Sequence, residues 1–205
     1  MDLMARYEDN YFDLAIVDPP YGINADDKNS TDKKQCKKSA YKSKDYGSQK
    51  WDDAIPNDDY FTELKRVSKR QIVWGANFFN LQGGMLYWHK HVTMPSYSQG
   101  ELAWLSWLNK IDFVSIAWHG MIQHDMKNKE VRIHPTQKPV KLYEWLLMNY
   151  AKEGYKILDT HLGSGSIAIA CHNLGFDLTA CELDPDYYAA AMKRIEQHKS
   201  QQKLF

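Results

Sequence analysis

Cysteine is scarce in this chain of 205 residues: Cys36, Cys171 and Cys181 are all there is. Three thiols cannot all pair within one chain, and none forms a C-x-x-C. A disulfide framework or a cysteine-rich structural zinc site is therefore excluded. Long apolar runs are missing too, since none approaches the roughly 18 residues a membrane helix needs. The opening Met1-Asp2-Leu3-Met4-Ala5-Arg6 lacks the apolar core of a secretory signal, so the expected location is cytoplasmic, away from membranes. Nor is one charge in surplus. With 26 Lys and Arg against 26 Asp and Glu, a uniformly basic nucleic-acid binder is excluded. What is present, 43% hydrophobic and 25% charged residues, is enough for a globular core, and the length suits one domain over 1–205.

The overall neutrality hides segregation. Residues 22–50 hold eight lysines against four aspartates, a local surplus of four positive charges. The stretch is poor in aliphatic residues, which suits a mobile loop, and a loop this long inside one domain is commonly functional.

Phe12 to Val17 has the length and composition of a buried strand and stops at Asp18-Pro19-Pro20-Tyr21, because two prolines cannot continue a ladder. Asn57 to Ser68 reads as a helix, with Phe61, Leu64 and Val67 on one face. Strands are expected at 71–74 and 85–88. A further pair, 101–107 and 111–118, is expected to form an antiparallel hairpin around Asn109-Lys110. Then come a helix from Val140 to Tyr150, a strand at Lys156 to Leu158 and an apolar helix from Ser166 to Leu174. Last come a strand from Asp177 to Cys181 and a helix capped by Asp184, with its apolar Tyr188, Met192 and Ile195 at helical spacing. Strands alternating with helices predict an α/β fold with a mainly parallel sheet. Ligands in such sheets sit at the carboxyl ends of the strands, where Asp18, Asp159 and Glu182 would converge.

Asp159-Thr160-His161-Leu162-Gly163-Ser164-Gly165-Ser166 joins a strand to an apolar helix, and with Ala168 its glycines read G-x-G-x-x-A. Glu182 follows nineteen residues after Gly163, placed to accept both hydroxyl hydrogens of a ribose. Dinucleotide enzymes share this pattern, so a nicotinamide-dependent oxidoreductase stays open. Asp159 favours another ligand: a carboxylate at the strand tip repels a pyrophosphate and attracts an ammonium or sulfonium. S-adenosylmethionine carries both cations and a ribose.

Asp18-Pro19-Pro20-Tyr21 presents two rigid acceptors, the Asp18 carboxylate and the Pro19 carbonyl. Together they suit the two hydrogens of an exocyclic amine on a nucleobase, leaving its lone pair aimed at an electrophile. Tyr21 offers a ring on which a base can stack, worth about 1–3 kcal/mol. No cluster with metal-ligand spacing stands out, and no metal is expected.

In the order Asp18–Tyr21, then His134-Pro135-Thr136-Gln137-Lys138-Pro139, then Asp159–Ser166 and Glu182, the chain resembles the permuted beta group of amino DNA methyltransferases, in particular small prophage-type adenine methylases. Trp74-Gly75-Ala76-Asn77-Phe78-Phe79 resembles the segment that walls the site in that family. The resemblance implies a Rossmann-like S-adenosylmethionine-dependent methyltransferase fold with circularly permuted motifs, and methyl transfer to N6 of an adenine flipped out of DNA. Asp18, Pro19, Pro20 and Tyr21 would form the catalytic set. Asp159, His161, Gly163, Ser164, Gly165, Ser166, Glu182, Thr136 and Lys138 would hold the donor. Residues 1–21 and 51–119 would make the catalytic half, 134–205 the donor-binding half, and 120–133 a reduced target-recognition segment. DNA is the expected partner, with a homodimer left open. N4 of cytosine, an RNA substrate and a catalytically silent DNA-binding subunit are the alternatives. The chain departs from the family at Thr160-His161, where Pro-Phe is usual.

The lysines of the basic stretch, Lys33, Lys34, Lys37, Lys38, Lys42 and Lys44, are expected to contact phosphates. Replacing Lys33, Lys34, Lys37 and Lys38 with Gln should weaken binding to all DNA sequences alike and reduce the salt slope of log K by about 0.9 per lost contact. Binding isotherms over several salt concentrations check this; an unchanged slope contradicts it.

Overall fold

The computed structural model describes residues 1–23, 52, 54–94, 97–119 and 121–201. The six lysines assigned to phosphate contact, and Cys36, lie outside them.

Leu14–Val17 (β1) is buried along its whole length. Leu14 and Ile16 enter one core layer, Ala15 and Val17 the other, so both faces of the strand are covered. That is the signature of a central strand in a parallel sheet. The other strands are Gln71–Trp74 (β2), Gly84–His89 (β3), Gly100–Leu105 (β4), Ile111–Ser115 (β5), Trp118–His119 (β6), Ile122–Gln123 (β7), Lys156–Asp159 (β8) and Asp177–Ala180 (β9). Seven of them form one sheet in the order β5-β3-β4-β2-β1-β8-β9, and β6 and β7 pair separately. β1 lies parallel to β2 and β8, and β8 parallel to β9. The tips of three adjacent parallel strands therefore bring Asp18, Asp159 and Glu182 to one edge.

The expected hairpin between 101–107 and 111–118 does not form. β3 lies between β4 and β5, antiparallel to the first and parallel to the second. The bare Gly84 makes this crossing feasible: a Cβ there would sit 2.7 Å from the Leu108 Cβ and 2.8 Å from its carbonyl oxygen. The β4–β5 connection thus passes directly over the start of β3.

Four helices cover the sheet: Asp58–Val67 (α1), Val140–Tyr150 (α2), Ser166–Leu174 (α3) and Pro185–Ser200 (α4). α1 begins where the Asn57 side chain accepts the Tyr60 N–H, and α4 where Asp184 accepts the N–H groups of Asp186 and Tyr187. Tyr60, Phe61, Leu64 and Val67 of α1 pack with Met4, Phe12 and Trp104 on one face. Leu142, Leu146 and Leu147 of α2, with Ile167, Ala170 and Cys171 of α3, cover the other. In α4 the buried residues are Ala191 and Ile195, and Tyr188 is 48% exposed. The contact stripe is set by Ala191, whose small side chain lets the helix approach. Among the described residues no helix is long and apolar enough to cross a membrane.

Candidate active site

Two clefts open along the sheet edge and meet at Asp18, Pro20, Thr136 and Lys138. The larger, about 1020 Å³, runs along the glycine turn past His161, Gly163 and Glu182. The smaller, about 560 Å³, is walled by the tetrapeptide, Phe78, Tyr87 and Glu101.

In the larger cleft the Glu182 carboxylate accepts the Gly163 N–H at 2.7 Å and the Asp184 N–H at 3.0 Å. The protein's own carboxylate thus fills the place at the turn where a phosphate would be held. Asp159 is buried and does not line the cleft. It lies behind the wall, where its Oδ1 accepts the His161 N–H at 2.9 Å. Burial above all, helped by the charges of Asp18 and Glu182, pushes its carboxyl up to about 8. His161 reaches the cleft, its ring 5.6 Å from that of Tyr60 and its Nδ1 2.9 Å from the Thr160 hydroxyl. Burial lowers it to about 4, so the imidazole is neutral near pH 7. The Tyr60 hydroxyl lies 2.7 Å from the same threonine oxygen, which ties Thr160-His161 to α1. Thr160-His161 thus brings a ring to the wall without the usual Pro-Phe.

The glycine-loop residues divide. Gly163, Ser164 and Ser166 line the cleft, but Gly165 abuts Ile195 and Ala191 of α4 and does not. The Ser164 carbonyl and Ser166 hydroxyl accept from Arg194 at 2.8 and 2.9 Å, and Arg194 also pairs with Glu130 at 2.6 Å. Glu130 in turn accepts the Val140 N–H at 3.0 Å, so one ion pair joins the 120–133 segment, α2, α4 and the glycine loop.

Where the clefts meet, both oxygens of Asp18 are engaged. Tyr21 donates its hydroxyl hydrogen to Oδ1, and the Lys138 ammonium donates to Oδ2. The ammonium also lies 3.2 Å from Glu101 Oε2 and 5.2 Å from the centre of the Trp74 ring, and Lys90 holds Glu101 Oε1 at 2.9 Å. Lys138 is only 5% exposed. Burial opposes its charge, but Asp18 and Glu101 outweigh that and hold it above the usual lysine range. Burial pushes Asp18 upward against the pull of Lys138. Burial works the same way on Glu101, where Lys138 and Lys90 together bring it below its ordinary value. The sequence suggested Lys138 as a donor contact; the structure seats it on Asp18, at the corner both clefts share.

Tyr21 lines the smaller cleft. Its ring is already stacked on Phe78, with centroids 4.9 Å apart and planes 14° apart. Gly75, at φ 75°, lies against it so closely that a Cβ would fall 2.2 Å from the Tyr21 ring. The Tyr21 and Gly22 N–H groups are both held by Asp52 Oδ1, at 2.6 and 2.9 Å. Phe78, 39% exposed, also presents aromatic surface at the smaller cleft, with Tyr87.

The HPTQKP segment is fixed by its neighbours. The Trp118 indole donates to the Gln137 carbonyl at 2.6 Å, and Gln137 Oε1 accepts the Ile133 N–H at 2.9 Å. The Thr136 hydroxyl lies 3.1 Å from His134 Nδ1. Burial, then the nearby Lys138, lowers His134 to about 4. Sequence reasoning missed Glu101, Lys90 and Asp52. Each is a single charged residue outside any motif, and only the antiparallel placement of β4 brings Glu101 to this edge. Among the described residues no three His, Cys, Asp or Glu side chains are grouped as metal ligands.

Residues 106–193 match a DNA methylase family of N6 and N4 methyltransferases. The type II methyltransferase M.HpaI of Haemophilus parainfluenzae is 33% identical over 69 residues, 34% of this chain and 22% of that protein. M2.DpnII of Streptococcus pneumoniae is 38% identical over 63 residues, 31% of this chain and 24% of that protein. The matched stretch spans about a quarter of the length of either relative. Among solved structures, M1.HpyAVI in complex with S-adenosylmethionine aligns at TM-score 0.54 and 19% identity, over 94% of this chain and 92% of that one. TTHA0409 of Thermus thermophilus, complexed with S-adenosyl-L-methionine, aligns at 0.57 and 15%, over 98% and 92%. The cytosine-N4-specific PvuII DNA methyltransferase aligns at 0.57 and 13%, over 99% and 84%. The structural likenesses show the fold, and the sequence matches fit the DNA methyltransferases over the matched stretches.

Asp159 has a consequence for stability. Between about pH 4 and pH 8 the folded protein holds a proton on this carboxyl that the unfolded chain releases, so its burial costs stability as the pH rises through that window. Asn keeps an oxygen for the His161 N–H and cannot ionise. Asp159→Asn should raise the melting temperature of the ligand-free protein at pH 8 by at least about 2 °C, with no comparable gain at pH 4. Thermal melts at the two pH values check this; equal or lower stability at pH 8 contradicts it.

Proposed function

We propose that the chain transfers a methyl group from S-adenosylmethionine to the exocyclic amine of a base in DNA, with N6 of adenine as the target. The observation that carries this reading is the meeting of the two clefts at Asp18, Pro20, Thr136 and Lys138. One cleft suits a donor and the other a flat base, and they share the corner where the transfer would occur.

The larger cleft fits the donor. Its volume is of the size that encloses a cofactor-sized ligand. Glu182 already occupies the anion position at the glycine turn, which disfavours a nicotinamide dinucleotide and leaves a carboxylate facing a ribose. Asp159 behind the wall holds its proton in the empty cleft below about pH 8, and a cation in the cleft would favour its ionised form. When bound, S-adenosylmethionine supplies an electrophilic methyl, whose bond to sulfur breaks with the electron pair leaving on sulfur as the amine nitrogen bonds to carbon.

The smaller cleft receives the base. A duplex base is unreachable in its stack and must be flipped out at a cost of a few kcal/mol. Phe78 and Tyr87 offer it aromatic surface. Asp18 and the Pro19 carbonyl accept the two amine hydrogens, so the lone pair faces the larger cleft. Positive charge developing on the amine is stabilised by the Asp18 carboxylate, and after transfer the methylated nitrogen releases one proton to water. Catalysis is positioning and electrostatics without a covalent enzyme intermediate. The Lys-rich stretch would hold the phosphates beside the flipped base, and residues 120–133 would help read the target.

Asp18→Ala should lower tritium transfer from labelled donor to unmethylated DNA by about 10²–10³-fold while affinity for S-adenosylhomocysteine, measured by calorimetry, stays within about threefold. Near wild-type transfer by the folded variant would remove Asp18 from the mechanism. Mass spectrometry of nucleosides from the methylated DNA identifies the base: N6-methyladenine supports the reading, and N4-methylcytosine reassigns the target.

A further inference from the structure

The Asp18 oxygens that the proposed reaction needs are occupied. Tyr21 takes Oδ1, and the Lys138 ammonium takes Oδ2. A neutral amine cannot displace a buried ammonium from a carboxylate unless the ammonium has an equally good seat within reach, because leaving either charge unpaired there costs several kcal/mol. The structure supplies that seat. Glu101 Oε2 is already 3.2 Å from the ammonium, and Lys90, 2.9 Å from Glu101 Oε1, keeps that carboxylate ionised. The Trp74 ring lies 5.2 Å below the ammonium and gives it a polarisable floor between the two acids.

We propose that Lys138 is a placeholder for the target amine. It sits on Asp18 while the base cleft is empty and withdraws to Glu101 when the base inserts, with Glu101 and Lys90 as positioning residues. This rests on the methyltransferase reading and adds to it an exchange of cations. The ammonium favours the ionised form of the buried Asp18 against the upward push of burial. As the amine nitrogen gains positive charge during transfer, it replaces at Asp18 the charge that Lys138 has carried to Glu101. Without Glu101 the ammonium has nowhere to go, and it competes with the substrate.

The test compares Glu101→Gln, Lys138→Met and the double variant in the full chain. The readouts are kcat/KM for unmethylated DNA by tritium transfer, its pH profile, and affinity for S-adenosylhomocysteine. Glu101→Gln should lower kcat/KM at least tenfold with donor-analogue affinity unchanged. Lys138→Met should move the acid limb of the profile to higher pH, because Asp18 loses the cation that favours its ionised form. At pH 9, where the acid limb bears least on the rate, adding Lys138→Met to Glu101→Gln should restore at least fivefold of the lost rate. A merely structural lysine would make the double variant slower than either single one. A double variant no faster than Glu101→Gln at pH 9, or a Glu101→Gln enzyme as fast as wild type, overturns the placeholder while leaving the methyltransferase reading intact. A wild-type chain that binds the donor analogue but transfers nothing to DNA overturns both. Should Glu101→Gln fail to fold, Glu101→Asp carries the same comparison: it keeps the charge and moves the seat away, and Lys138→Met should relieve its loss at pH 9.

Discussion

A buried ammonium shared between two carboxylates organises this edge of the molecule. Lys138 reaches across 120 residues of sequence to Asp18 and also contacts Glu101. Those three residues come from the HPTQKP segment, the tip of β1 and the start of β4, so one charge cluster ties three separate stretches at a single point. Buried ion pairs add little net stability, because desolvation offsets most of their attraction, but removing one partner is costly. The cluster therefore acts chiefly as a constraint. It fixes the corner at which the two clefts meet and sets a cation against the upward push of burial on Asp18.

The rest of the edge follows the same electrostatic logic. Glu182 closes the glycine turn with a negative group, and Asp159 stands behind it with its carboxyl pushed up to about 8. Such an edge is poorly suited to a pyrophosphate and well suited to a ligand bearing positive charge. The neutral His134 and His161 add no cation of their own. Arg194, the other buried base nearby, is held by Glu130 and the Ser164 carbonyl, on the side of the loop that faces α4.

Much of this was legible in the sequence, because it depends on local patterns. β1, β2, β8 and β9 are short apolar runs ended by Pro, Gly or acidic residues, and three of their tips carry Asp18, Asp159 and Glu182. The caps at Asn57 and Asp184 lie where their residue types indicate. What escaped depends on long-range pairing. The order β5-β3-β4 turns on Gly84 letting another segment pass over it, which no periodicity encodes. Glu101 and Lys90 reach the site because β3 and β4 are antiparallel, and neither belongs to a motif. The stacking of Tyr21 on Phe78 against Gly75 joins segments more than fifty residues apart, and no local pattern encodes it.

The central claim is that a donor cleft and a base cleft share the corner at Asp18. The most direct measurement is calorimetric affinity for a bisubstrate analogue, an adenosine joined through N6 by a short alkyl linker to the methionine end of a donor analogue. Spanning both clefts makes the second contact intramolecular, so the analogue should bind at least about tenfold more tightly than S-adenosylhomocysteine, and Phe78→Ala should remove most of that gain. An analogue that binds no more tightly than S-adenosylhomocysteine would show that the clefts are not used together, and the account would fail.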